Sequence, residues 1–80
     1  MEKAEIEDRV RAFFVEELEI APEKVLPEAG MKNDLGIDSL DYVDVAVFVE
    51  NEFGFKPNLN DMKSSATLGQ FIAYISTHVK

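Results

Sequence analysis

The spacing of its apolar residues constrains this chain more than any other feature. In the first segment Ile6, Val10, Phe13, Phe14 and Leu18 recur three, four and seven positions apart, as one face of a helix requires. Ile20-Ala21-Pro22 is expected to end that segment, because proline disfavours helical backbone in the residue before it. A second helix is predicted from Ser39, with Asp38 as its N-cap and Asp41 at the capping-box position. It should run to Glu52 or Phe53, where Gly54 supplies the stop. On a helical wheel Tyr42, Val45, Ala46, Val49 and Phe53 share one broad arc, and Leu40, Val43 and Val47 continue the apolar surface round one side. Asp41, Asp44, Asn51 and Glu52 occupy the remaining arc, with Phe48 among them. So much apolar surface predicts a central helix with neighbours on more than one side.

The other elements follow from the same reading. Pro57 and Asn58 break the chain, and Leu59, Met62 and Ala66 support only a short third helix over about Leu59 to Ser65. Thr67 with Gln70 reads as a capping box for a last helix whose stripe is Leu68, Phe71, Ile72, Ile75 and Val79. Between the first two helices lies a connection from about Glu19 to Ile37, holding Pro22, Pro27, Gly30 and Gly36. Loops of this length in a compact domain tend to be functional. Its Val25, Leu26 and Met31 are expected to pin it to the core. The fold class is therefore all-α: a small antiparallel bundle of three main helices plus one short helix, with a long loop between helices 1 and 2. At 80 residues the whole chain, 1–80, is expected to be one domain of modest stability.

Charge narrows the function classes. Sixteen acidic against eight basic residues give a net charge of -8. A nucleic-acid binder must neutralise phosphates with Lys and Arg, so that class is excluded, and an anionic membrane surface would repel the chain. Proteins with basic patches are the expected partners, met through electrostatic steering. No apolar run approaches the roughly 20 residues that span a bilayer, and none follows the charged start, so a soluble, cytoplasmic protein without membrane insertion is expected.

Catalytic constellations are scarce. The chain has no cysteine, which removes thiol nucleophiles, disulfides and thiolate metal ligands together. Its one imidazole, His78, falls in the last turn of the last helix, where it suits the dipole and has no second His or Cys to share a zinc ion. Asp34 to Val45 fails as a calcium loop, because its sixth position is Ser39 rather than Gly and its twelfth is Val45 rather than Glu. Gly36-Ile37-Asp38-Ser39-Leu40 does not match the nucleophile elbow of a serine hydrolase. What remains is a serine hydroxyl in the first turn of a helix, just after a glycine, among backbone N–H groups that favour an anion. By itself an Asp-Ser pair there does no more than start a helix.

The wider pattern resembles the acyl carrier proteins. Asp34-Leu35-Gly36-Ile37-Asp38-Ser39-Leu40-Asp41 is similar to that family's attachment motif. Glu50-Asn51-Glu52-Phe53-Gly54 is similar to the end of its second helix, and Thr67-Leu68-Gly69-Gln70-Phe71 to the start of its last. The resemblance implies that a phosphopantetheinyl transferase joins 4′-phosphopantetheine from coenzyme A to Ser39, flanked by Asp38 and Leu40. It implies a carrier with no catalysis of its own, which holds acyl groups as thioesters and delivers them to fatty-acid or polyketide type enzymes. Docking on basic patches of those acyl-processing enzymes falls to Asp41, Asp44, Val47, Glu50 and Asn51, with Asp38 and Leu40 nearby. An acyl pocket falls to Tyr42, Val45, Phe48, Val49 and Met62. Some positions depart from the pattern: Val47 stands where Met is common and Asn51 where Glu is. Tyr42 and Phe48 are bulkier than usual, and Pro57 and Ser65 replace apolar residues. These departures imply a specialised carrier with a reduced pocket, for a short or unusual group. A monomer is expected, since a carrier must expose its second helix. Two other readings stand beside this one: a peptidyl or aminoacyl carrier, and a small acidic adaptor with no prosthetic group. A hydrolase using Ser39 is more distant still.

Overall fold

A computed structural model describes residues 1–79. Its helices are α1 (Lys3–Glu16), α2 (Ser39–Phe53), α3 (Leu59–Lys63) and α4 (Leu68–His78), with one 3-10 turn over Pro22–Lys24. The all-α expectation holds, and the four helices fall where the periodicity and caps put them. The one β-type pairing among the described residues is an isolated bridge between Gly30 and Thr67.

The core is built from the predicted stripes. Ile6, Val10 and Phe14 of α1 and Leu68, Phe71, Ile72 and Ile75 of α4 are all buried. The Phe14 and Phe71 rings stack across that interface with centroids 6.3 Å apart. Val45, Val49 and Phe53 of α2 and Met62 of α3 complete the interior. Two polar ties register the outer elements. Arg9 bonds Glu52 at 2.7 Å between α1 and α2, and the Asn58 amide donates to the Tyr74 hydroxyl at 3.0 Å. Among the described residues no helix is long and apolar enough to cross a membrane.

Three local expectations are corrected. α1 stops at Glu16, well before Pro22, because Glu19 adopts a left-handed conformation (φ 56°) and Ile20 N–H donates back to the Phe14 carbonyl at 3.1 Å. That closure places a non-glycine residue where glycine is usual. In the connection Val25 and Met31 are buried as expected, but Leu26 is exposed: with Val25 turned inward, its neighbour turns out. Ala29, Leu35 and Ile37 are the further anchors. The third correction concerns α2. Tyr42, Val45, Val49 and Phe53 are buried, whereas Leu40, Val43 and Val47 are 79%, 52% and 56% exposed. α2 therefore packs through its broad arc and, toward α1, through Phe48 and Glu52, while the flank of Leu40, Val43 and Val47 faces solvent.

The connection is fastened to the start of α4 by backbone. Leu68 and Gly69 N–H donate to the Ala29 and Pro27 carbonyls at 2.9 and 2.8 Å, and Met31 N–H donates to Ala66 at 3.0 Å. Thr67 Oγ1 accepts from Gln70 N–H, while Gln70 Oε1 accepts from Ala66 N–H rather than from the N-cap amide. A Cβ on Gly69 would lie 3.0 Å from the Pro27 carbonyl oxygen, a backbone atom that cannot swing aside. Alanine is favoured over glycine inside a helix by about 1 kcal/mol. Gly69→Ala is nonetheless expected to destabilise the protein by about 1–2 kcal/mol, since it pushes the connection off the helix and loosens the Gly69–Pro27 hydrogen bond. In a thermal melt that is a fall of roughly 4–8 °C per kcal/mol for a domain of this size; an unchanged or raised Tm would show the clamp to be slack.

Candidate functional site

Asp38 enters α2 in extended conformation, and its Oδ1 accepts from the Leu40 and Asp41 amides, each at 3.0 Å. Asp41 Oδ2 reaches back to accept from Asp38 N–H at 3.2 Å, completing the predicted capping box. A cap of this kind is worth about 1 kcal/mol. Immediately upstream, Gly36 takes the left-handed conformation (φ 69°), and Asp34 Oδ2 accepts from Gly30 N–H at 2.6 Å. The carboxylates of Asp34, Asp38 and Asp41 are thus all engaged by backbone amides.

Ser39, between them, is engaged by nothing. It is the first residue of α2, it is exposed, and neither its hydroxyl nor its amide bonds another described residue. The free amide and the positive end of the helix favour an anion on that hydroxyl. No base stands ready to deprotonate it. His78 is occupied at the end of α4, where Nδ1–H donates to the Tyr74 carbonyl at 3.0 Å and the ring stacks on Phe55 and Tyr74. No three His, Asp or Glu residues among those described could hold a metal ion together.

Beside Ser39 opens a groove of about 490 Å³, walled by the connection, the start of α2 and the end of α3. Met31, Ile37 and Tyr42 form its apolar floor, and Lys32, Lys63 and Ser65 give it polar sides. A phosphodiester arm on Ser39 would fit these surroundings: a free hydroxyl, a free amide, nearby carboxylates turned onto backbone amides, and room alongside.

The remaining candidates separate into two groups. Asp44, Val47, Glu50 and Asn51 are exposed on α2 and Asp41 is half-buried, so they share a surface with exposed Leu40 and Val43. Of the five pocket candidates, Tyr42, Val45, Val49 and Met62 share one buried core, with Phe48 packed against it. Val45, Val49 and Met62 are wholly buried in the core, and Tyr42 lines the groove. Phe48 lies on the α1 side, stacked on Phe13 at 4.2 Å and edge-on to Phe53 at 5.8 Å. Lys32 and Lys63 were not singled out by the sequence, because nothing local marks either one; only the fold carries them to the same groove.

Two comparisons with known proteins bear on this site. Residues 8–75 match the family model described as the phosphopantetheine attachment site. The chain is also 36% identical over 78 residues to acyl carrier protein 2, mitochondrial, of Arabidopsis thaliana. The match takes in 98% of this chain and 62% of that relative, so the chain spans somewhat under two thirds of the relative's length.

Burial pushes the Tyr42 phenol above its usual value of 10.0. The folded state therefore keeps this proton longer than the unfolded chain does. The resulting stability is fully present below pH 10.0 and is lost as the pH climbs through the raised folded value. Urea midpoints followed from pH 9 to above 11 should fall more steeply for the wild type than for Tyr42→Phe. Parallel curves would mean that the phenol is not desolvated.

Proposed function

The chain belongs to the phosphopantetheine attachment site family, and from that premise we propose that it is an acyl carrier whose prosthetic group is attached at Ser39. The observation that carries this reading is the exposed, unpartnered Ser39 hydroxyl at the first position of α2. A serine hydrolase would need a base beside it. A substrate for another enzyme needs only to present it, and the chain then catalyses nothing itself. When bound, the 4′-phosphopantetheine group supplies a terminal thiol that holds an acyl group as a thioester. The whole chain, 1–80, works in this reading as one carrier domain and as a monomer.

The exposed face of α2 serves as the docking surface. Leu40, Val43 and Val47 offer apolar contact, and Asp44 and Glu50 offer charge, with Asn51 beside them. The partners are a phosphopantetheinyl transferase and acyl-processing enzymes of fatty-acid or polyketide type with basic patches around an apolar recess. Exposed ion pairs contribute little individually, which suits a carrier that must leave each enzyme after use. The cytoplasm is the compartment of this reading; the word mitochondrial belongs to the relative's name.

Incubation with coenzyme A, magnesium and a broad-specificity phosphopantetheinyl transferase should raise the intact mass by one phosphopantetheine, and Ser39→Ala should abolish the gain. A folded wild-type protein that gains nothing would make the acidic adaptor the better description.

The cargo in this reading is short or unusual. Val45, Val49 and Met62 are fully buried against one another's elements, Pro57 is buried too, and the groove beside Ser39 has Lys32, Lys63 and Ser65 on its walls. A long alkyl chain would have to part that core or lie along charged side chains. An octanoyl form should therefore leave the NMR shifts of Val45, Val49 and Met62 close to those of the unacylated form. Large changes at all three would show a chain buried among them and end the idea of a reduced pocket.

A further inference from the structure

Lys32 and Lys63 belong to the few basic residues of a protein carrying a net charge of -8, and both border the groove that contains Ser39. They come from different elements, Lys32 from the connection and Lys63 from the last turn of α3. Neither pairs with a carboxylate among the described residues, although Arg9 pairs with two. The acids closest in sequence to Ser39 bond backbone amides at 2.6–3.2 Å and form no ion pair with either lysine. A second observation points the same way. Tyr42 is only 6% exposed and lines the groove, yet its hydroxyl has no hydrogen-bond partner among the described residues. That oxygen is not sealed in the core, because no fully buried side-chain oxygen among the described residues is left unsatisfied. With its ring packed inward, the hydroxyl therefore opens into the groove and awaits a partner there. It also stays protonated at neutral pH, so it can donate.

We propose that Lys32, Lys63 and the Tyr42 hydroxyl form a cradle that holds the phosphopantetheine arm against the protein. The two ammonium groups bracket the phosphodiester, and the phenol bonds a polar group of the arm further along the groove. The inference rests on Ser39 being the attachment point. It goes beyond that in assigning a docked resting position for the arm, which the partner enzyme must release when it binds. Lysine serves such a site as a mobile point charge, so the hold weakens as salt rises.

The test compares apo and transferase-loaded protein by amide NMR and by the phosphorus resonance, with intact mass confirming loading in each sample. The variants are Lys32→Gln with Lys63→Gln, whose exposed side chains can change without disturbing the core, and separately Tyr42→Phe. In the wild type, loading should shift the amides of Lys32, Asn33, Tyr42, Lys63 and Ser65 as well as those beside Ser39. The double variant should load to the same mass while losing more than half of the shifts at positions 32, 33, 63 and 65, and its phosphorus line should narrow. Tyr42→Phe should reduce the shift at position 65 and leave the phosphorus line broad. Wild-type shifts confined to residues 38–41, or shifts unchanged in the double variant, would overturn the cradle and leave the attachment reading standing. Failure of the wild type to gain mass would remove both.

Discussion

The start of α4 presents amides that the helix cannot satisfy from within, and the long connection supplies the acceptors. Ala29 and Pro27 carbonyls take the Leu68 and Gly69 amides, Thr67 Oγ1 takes Gln70, and Gln70 turns back to Ala66. The approach of Pro27 is possible only because position 69 has no side chain. Once this seam is closed, Ala29 and Met31 are drawn into the core, and Leu35 and Ile37 follow. The connection then arrives at Asp38 with its direction set. Arg11 adds a tie from α1, its Nε–H donating to the Val25 carbonyl at 3.0 Å. A segment holding Pro22, Pro27, Gly30 and Gly36 is thereby tied to both α1 and α4.

That fixed approach is what presents Ser39 at the first position of α2. Gly36 turns the chain, Asp38 and Asp41 cap one another, and three carboxylates that would otherwise repel an anion are engaged by amides. The serine is left with its hydroxyl and amide both free. The same geometry separates two surfaces that a carrier has to keep apart. The exposed face of α2 joins apolar and acidic side chains, suited to a basic partner. The groove on the other side of Ser39 joins an apolar floor to two lysines. On the proposed reading, the acidic face is where partner proteins dock and the groove with two lysines is where the arm rests.

The aromatic residues divide along similar lines. Phe14 and Phe71 lock α1 to α4, and Phe13, Phe48 and Phe53 join α1 to α2. Phe55, Tyr74 and His78 cluster where the α2–α3 connection meets the end of α4. His78 is thus a structural residue, its Nδ1–H spent on a carbonyl one turn earlier. Phe48 follows from this arrangement too. Its ring stabilises the α1–α2 seam and packs from that side against the core that holds Tyr42 and Met62.

Much of this was legible in the chain itself, because it is encoded locally. A 3.6-residue apolar period, an aspartate before Ser39 and Gly54 after Phe53 set the helices and nearly all their ends, since caps and periodicity act between residues a few positions apart. The motif around Ser39 carried the candidate site for the same reason. Glu19 was not legible, because a non-glycine residue is held in a left-handed turn only by what surrounds it. Periodicity did not give the exposure of Leu40, Val43 and Val47 either, for a helical wheel gives the direction of a side chain and not whether a neighbour lies there; only the family resemblance put Leu40 and Val47 on an outer surface. The meeting of Lys32 and Lys63 at one groove, and the unmet hydroxyl of Tyr42 that lines it, belong wholly to the tertiary structure. They lie on a connection, a short helix and a long one, and only packing of those three elements around a common core brings them to one groove.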